Sequence, residues 1–213
     1  TPELATVELQ KETAHFGEVA SKMSAFANEL INSTDSKKQG KLYKKLFKYE
    51  EITDKMEIEI TEYITKLSNS EITPRTSVKL RSILNICNDL ERIGDIYYQI
   101  SKTLESKNEN NQYFTPEQRN NLNEMSQLID QAFAIMNKNL ATDHYDEVNK
   151  DAAMEIERDI NKYRNNLRKN NLSSLGVDGY DVQSAMIYNN IFSSLEKVGD
   201  HIINVTEAVV GEV

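Results

Sequence analysis

Apolar residues recur every three or four positions along almost the whole chain, which is the period of an amphipathic α-helix with one buried face. The pattern predicts six helices, each roughly 25–30 residues and about 40 Å long. No stretch alternates apolar and polar residues as a half-buried strand does. The sequence therefore predicts an all-α protein. Its apolar stripes run from Phe16 to Leu30, Leu42 to Leu67, Ile83 to Leu104, Leu122 to Leu140, Val148 to Leu167 and Tyr188 to Val209.

Turn and cap residues mark where these helices begin and end. The chain has three prolines, and each follows a threonine, at Thr1, Thr73 and Thr115. Threonine caps a helix N-terminus well and proline is tolerated at the first helical position, so these pairs predict helix starts. The polar stretch "SKNENNQYF" from Ser106 breaks the pattern between the third and fourth helices. It is the best domain boundary, which predicts a first three-helix bundle over 1–107 and a second over 112–213.

An internal repeat supports this division. "LERIGDIYYQI" begins at Leu90 and "LEKVGDHIINV" begins at Leu195, 105 positions later. The second and fifth helices correspond at an offset near 107, with "EITD" from Glu51 beside "RDIN" from Arg158. The third helix therefore matches the sixth, and the fold class predicted is all-α with two tandem three-helix bundles.

Acidic residues four positions apart recur beside the apolar stripes. Glu50 and Asp54 lie on the second helix, and Glu91 and Asp95 lie on the third. Two antiparallel helices can bring these four carboxylates together, where like charges repel unless a cation binds between them. We therefore predict a metal site here and an equivalent one in the second half. The residues of the second site are Glu157, Asn161, Glu196 and Asp200.

The residue types constrain which metal would bind. Oxygen ligands suit Mg, Ca, Mn or ferric iron better than metals that prefer thiolates. Gly94 and Gly199 follow the first acid of each repeat, and a glycine inside a helix costs about 1 kcal/mol relative to alanine. Their recurrence indicates a close backbone approach or room for a ligand. A solvated acidic face is the other interpretation, and for any single Glu-x-x-x-Asp spacing it is the better one.

These motifs resemble a known family. "DLERIGD" from Asp89 and "LEKVGDHIINVTEAV" from Leu195 look like the signature of the PhoU-like family, and "EEITD" and "ERDIN" resemble its other motif. The resemblance implies two tandem three-helix bundles and multinuclear metal clusters, with iron among the candidate metals. It also implies regulation of phosphate uptake rather than catalysis. The chain departs from the family motif at Asn161, where an acid would be expected.

The first helix extends the resemblance. "TPELATVELQKETAHFGEVASKM" looks like the cytoplasmic C-terminal domain of bacterial sodium/phosphate cotransporters, and the chain starts without a methionine. This implies a membrane transporter as the partner, in the same polypeptide or in a complex, at the inner face of the cell membrane. The single Cys87 is consistent with a reducing, cytoplasmic setting.

Composition narrows the remaining functions. A net charge of −9 argues against nucleic acid as a partner, and a mean hydropathy of −0.61 predicts a soluble protein. Six lysines crowd residues Lys37 to Lys48, either as a solvated face or as a contact with an anionic membrane surface. The oligomeric state stays open, a homo-oligomer included.

Two other functions compete with a metal-binding regulator. One is a metal-free helical scaffold that binds a protein partner. The other is a di-metal oxidase or hydrolase, which in this kind of bundle uses two Glu-x-x-His pairs. The sequence offers one such pair, Glu12 and His15, and no nucleophile elbow or phosphate-binding glycine loop. We therefore predict no catalytic residue.

Overall fold

The computed structural model describes residues 1–211, and within them it contains helices and no strand. The last two residues of the predicted second bundle, 212–213, lie outside the described residues. The six α-helices, numbered in chain order, are α1 Pro2–Asn32, α2 Ser36–Ser68, α3 Pro74–Glu109, α4 Pro116–Ala141, α5 Asp151–Ser174 and α6 Val182–Val210. A short 3-10 turn, Tyr145–Glu147, lies between α4 and α5. The all-α fold class is confirmed.

Side-chain caps fix most of the helix starts. The hydroxyls of Thr1, Thr73 and Thr115 each accept a backbone N–H in the first turn of α1, α3 and α4. Thr115 also forms a reciprocal capping box with Gln118. Because these contacts satisfy N–H groups that have no partner inside the helix, the Thr-Pro pairs begin helices as the sequence predicts.

The predicted boundary stretch from Ser106 is in part helical. Helix α3 continues to Glu109, past the predicted end of the first bundle at residue 107. Two tertiary contacts hold this last turn, since Asn108 Nδ2 donates to the Tyr43 hydroxyl at 2.7 Å and the Lys107 ammonium packs over the Phe114 ring. The polar composition of this stretch did not predict these contacts. A long polar side chain can bury its aliphatic stem while its polar end contacts a partner.

Each half of the chain is a three-helix bundle, and the two bundles share one core. Helix α2 packs on α1 and α3, and α5 packs on α4 and α6. The four remaining helices surround the centre, where α1 faces α4 and α3 faces α6. Tyr97 of α3 stacks on Phe133 of α4 across this centre, with ring centroids 6.4 Å apart. Helices α2 and α5 therefore lie on opposite outer sides.

None of the helices in residues 1–211 has the length and apolar character needed to cross a membrane.

Candidate metal centre

A glycine lets α2 and α3 approach closely at the first predicted site. A Cβ atom at Gly94 would lie 2.5 Å from the Oγ1 atom of Thr53, which is closer than real Cβ contacts. Thr53 is buried between the two helices, and its hydroxyl donates to the Glu50 carbonyl at 2.9 Å. Of the two interpretations of this glycine, close backbone approach is therefore the one observed. It brings the acids of α2 beside those of α3.

The four predicted acids of the first site come together, and we call Glu50, Asp54, Glu91 and Asp95 the first quartet. Glu50, Asp54 and Asp95 each offer a carboxylate oxygen, and these three atoms lie within 4.8 Å of one another. Asp95 and Asp54 both raise the pKa of the Glu91 carboxyl, which places Glu91 beside them. Asp54 and Asp95 are exposed, whereas Glu50 and Glu91 are half-buried. The site is a shallow all-oxygen cluster that is open to solvent on one side.

The electrostatics of the first quartet are those of an uncompensated anion. Burial first, and then hydrogen bonding and charge repulsion from Asp95 and Asp54, raise the pKa of Glu91 to about 8. Burial and the charges of Asp54 and Asp95 also raise the pKa of Glu50. Within residues 1–211, no lysine or arginine forms an ion pair with any of the four. A bound cation would remove this repulsion, and carboxylate oxygens fit hard cations and ferric iron.

The equivalent contact in the second half is looser. A Cβ atom at Gly199 would lie 3.3 Å from Ile160 Cγ2, so a small shift of that side chain would accommodate it. Ile160 occupies the position that Thr53 has in the first half, at the offset of 107. A Cβ atom would therefore clash at the glycine of the first half and would make a tight contact at the glycine of the second half.

The second quartet, Glu157, Asn161, Glu196 and Asp200, is also assembled, but one of its acids pairs with an arginine of the protein. Asn161 Nδ2 donates to Glu157 Oε1 at 2.6 Å, which fixes this pair on α5. Arg164 Nη1 lies 3.6 Å from Glu196 Oε2, and the Glu196 side chain is only 11% exposed. Burial and the Asp200 charge raise the pKa of Glu196, and Arg164 lowers it. The guanidinium stands close to where a metal would bind.

Arg164 is the residue that the sequence analysis missed. It follows Asn161 by three positions on α5, so it projects from the same face. At the offset of 107, Arg164 corresponds to Glu57, and Asn161 corresponds to Asp54. Comparing the two repeats could therefore have identified Arg164, because the charge at its position is reversed. Among the described residues, the first quartet contains the one group of three or more acidic, histidine or cysteine side chains with metal-ligand spacing.

Two histidines, His15 and His201, stand apart from both quartets. His15 is exposed on α1. His201 Nδ1 lies 2.8 Å from Asp89 Oδ1, and Asn204 Nδ2 donates to the same oxygen at 3.2 Å. These contacts join α6 to α3 across the two halves. His201 is therefore engaged by a carboxylate between the bundles, not by the second quartet.

Part of the chain matches a known protein family. Residues 13–104 match the PhoU domain family. The matched segment contains the whole first quartet. A search of curated proteins finds no match to this chain.

Two solved structures share the fold over nearly their whole length. The phosphate transport system regulatory protein PhoU from Streptococcus pneumoniae has a TM-score of 0.80 at 21% identity, covering 99% of this chain and 95% of that one. PhoU from Pseudomonas aeruginosa has a TM-score of 0.83 at 18% identity, covering 97% of this chain and 96% of that one. The chain therefore has a PhoU-like fold in both halves, including the half that the family match does not reach.

Proposed function

We propose that this chain is a metal-binding regulatory domain of a phosphate transport system. The family whose domain matches residues 13–104 is regulatory and non-enzymatic, and the S. pneumoniae structure with the same fold is named as a phosphate transport system regulator. The observation that carries the metal part is the first quartet, a cluster of four carboxylates that forms no ion pair with a lysine or arginine in residues 1–211. The domain would act by binding and conformation, not by catalysis.

The residues present fit an oxygen-preferring metal. Glu50, Asp54, Glu91 and Asp95 would hold it, and carboxylates that each offer two oxygens can bridge neighbouring ions in a multinuclear cluster. Iron is one candidate, and Mn, Mg or Ca are others with the same ligand preference. A bound cation would supply positive charge between α2 and α3, and would thereby stiffen their contact. The second quartet would bind metal more weakly, because the positive charge of Arg164 beside Glu196 repels a cation.

Metal content tests this proposal directly. Protein purified without added ions should carry metal detectable by elemental analysis, and an anomalous scattering scan on crystals should identify the element. The double substitution Glu91→Gln with Asp95→Asn should remove most of it. Glu62→Gln, an exposed acid farther along α2, is the matched control and should retain it. If wild-type protein binds no metal even after incubation with iron or manganese, the chain is a metal-free helical scaffold instead.

We also propose a membrane transporter as the partner, either in the same polypeptide or in a complex at the cytoplasmic face of the membrane. Support comes from the first helix, which is similar to the cytoplasmic domain of sodium/phosphate cotransporters. The parent gene is the simplest test, since a fused transporter requires several hydrophobic spans encoded upstream of Thr1. A reading frame that starts near Thr1 would instead indicate a separate protein that binds its transporter.

The lysine-rich start of α2 is the surface we propose to face the membrane. All six lysines between Lys37 and Lys48 are exposed, and Phe47 is 47% exposed among them. Basic residues beside an apolar side chain attract anionic lipid surfaces. Sedimentation with phosphatidylglycerol vesicles should therefore exceed sedimentation with phosphatidylcholine vesicles. Replacing Lys41, Lys44 and Lys48 with glutamine should abolish the difference, and equal binding to both vesicles would contradict the proposal.

A further inference from the structure

A cavity of about 290 Å³ lies at the end of the molecule where two helix connections meet. One wall is the turn between α1 and α2, and the other is the connection between α3 and α4. Its charged side chains are two cations, Lys107 and Arg119, and no acidic residue lines it. The rest of the lining is polar, apart from Ile31 and two aromatic rings. The charged side chains of this cavity are therefore positive, whereas those of the first quartet are negative.

Lys107 is unusual because it is buried without a carboxylate. It is only 8% exposed, and its Nζ atom lies 4.6 Å from the Phe114 ring centroid and donates to Asn108 Oδ1 at 3.2 Å. Within residues 1–211 no acid lies within ion-pair distance of it. Lysine is almost never buried unless its charge is paired. The ammonium also lies 5.9 Å from the Tyr113 ring centroid. Two aromatic faces and one amide oxygen compensate only part of an ammonium ion's lost hydration.

A second positive charge faces the first. Burial lowers the pKa of Lys107, and the charge of Arg119 lowers it further. Arg119 is half-buried at the start of α4 and forms no ion pair with any described residue. Two mutually repelling cations in a walled cavity are stabilised when an anion binds between them.

Neutral donors complete the lining. Thr34, Ser36 and Asn111 line the cavity at its exposed edge, and their side chains carry hydroxyl and amide donors. Asn111 takes a left-handed backbone conformation, with φ of 53°, which turns the chain at the cavity edge. A phosphate group has several acceptor oxygens and up to two negative charges. It can therefore use both cations and these donors together, which a single carboxylate cannot.

We propose that this cavity binds a phosphate group, held by Lys107 and Arg119. The site is separate from the metal centre, because Lys107 follows Glu91 by sixteen positions along α3, about 24 Å at 1.5 Å per residue. The phosphate group would come either from inorganic phosphate or from a larger phosphorylated molecule such as a nucleotide. Tyr113 is 72% exposed at the cavity and offers a ring on which a base could stack.

Calorimetric titration at fixed ionic strength tests this site, with inorganic phosphate and adenosine monophosphate as separate probes. Arg119→Gln and Lys107→Met should each weaken binding of the better probe roughly tenfold or more, because each removes a charge-assisted hydrogen bond. Lys102→Gln is the matched control. Lys102 also packs over an aromatic ring, Tyr98 at 5.4 Å, but it has a carboxylate partner, Glu105 at 3.9 Å. That variant should bind like wild type.

The titration should be repeated in the Glu91→Gln with Asp95→Asn protein in the presence of a metal chelator, so that phosphate cannot bind through metal at either quartet. Unchanged binding there supports the cavity, even if the metal proposal fails, and loss of binding there overturns it. Tighter binding of the nucleotide identifies the larger source, and tighter binding of inorganic phosphate identifies the free ion. The absence of binding by both probes in millimolar range overturns the proposal. Binding that is unchanged by Arg119→Gln also overturns the proposal. Because Arg119 is half-buried, its variant can still decide the test if Lys107→Met does not fold.

Discussion

The two quartets are built by equivalent helix pairs, yet they differ in whether a protein cation pairs with their acids. The first has four carboxylates, and none of them forms an ion pair with a lysine or arginine in residues 1–211. The second has three carboxylates and one amide, and Arg164 contacts its most buried acid. A carboxylate cluster can be stabilised either by a bound cation or by an arginine. The comparison teaches that one scaffold can keep its helix geometry while its two copies differ in whether a protein side chain pairs with the carboxylates.

The glycines show the same divergence in packing. A Cβ at Gly94 would lie 2.5 Å from the Oγ1 atom of the buried Thr53, whereas a Cβ at Gly199 would lie 3.3 Å from Ile160 Cγ2. In the first half, the glycine therefore sets how closely the acid-bearing helices approach. In the second half, the contact at the glycine is tight, but it is not a clash.

The largest expected effect comes from removing one acid from each quartet. Asp95→Asn should abolish the tighter phase of a calorimetric titration with Mn²⁺ or Fe²⁺, because it removes both charge and a bridging oxygen from the first quartet. Asp200→Asn should change only a weaker phase. If Asp95→Asn leaves the tighter phase intact and Asp200→Asn removes it, the ranking of the two sites is wrong. If neither changes any binding, the acids are a solvated face.

The next effect concerns folding stability. Gly94→Ala should destabilise the protein by about 1–3 kcal/mol through overpacking against Thr53, offset by the ~1 kcal/mol that alanine gains over glycine inside a helix. Gly199→Ala should be neutral or stabilising, since Ile160 can shift. Urea denaturation of the metal-free proteins measures both free energies of unfolding.

A double substitution isolates the cause of the Gly94 effect. Thr53→Ala removes the hydroxyl and methyl that a Cβ at residue 94 would meet. In that background Gly94→Ala should cost far less than it does alone, and the difference is the coupling between the two positions. Equal costs in both backgrounds would show that the strict glycine has another role.

The sequence predicted what is local or repeated. Helix periodicity, Thr-Pro caps and the 105-residue repeat are each readable along the chain, and they yielded six helices and a first quartet that does assemble. Side chains that meet through tertiary packing were not predicted. Arg164 reaches Glu196 from another helix, and Lys107 is buried by the aromatic Phe114 within a stretch that reads as a polar linker. Residue types alone do not specify which side chains contact each other between helices.

A smaller effect should follow from giving the second quartet the charges of the first. Asn161→Asp combined with Arg164→Gln replaces the amide by a carboxylate and removes the protein's own cation, so metal binding there should strengthen. Metal affinity is measured by calorimetry in the Asp95→Asn background, so that the first quartet does not contribute. Asn161→Asp alone should give less, because Arg164 would still neutralise part of the added charge. A double variant that binds no more metal than its background would show that the α5–α6 geometry, and not charge, limits this site.

The smallest expected effect is in the pH dependence of stability. The pKa of Glu91 in the folded protein is about 8, above its usual 4.5, so the folded state holds a proton that the unfolded state releases between these values. Stability from the protonated carboxyl is therefore present at low pH and is lost as pH rises through this window.

Metal-free wild type should show a falling Tm from pH 5 to pH 8. Glu91→Gln, which mimics the neutral acid, should flatten that slope. Glu196→Gln should flatten it less, because Arg164 already favours the charged form of Glu196. Saturating Mn²⁺ should reverse the wild-type slope, since metal competes with the proton for the same oxygens. A wild-type Tm that rises with pH in the absence of metal would mean that the four carboxylates are not held together as they are in this structure.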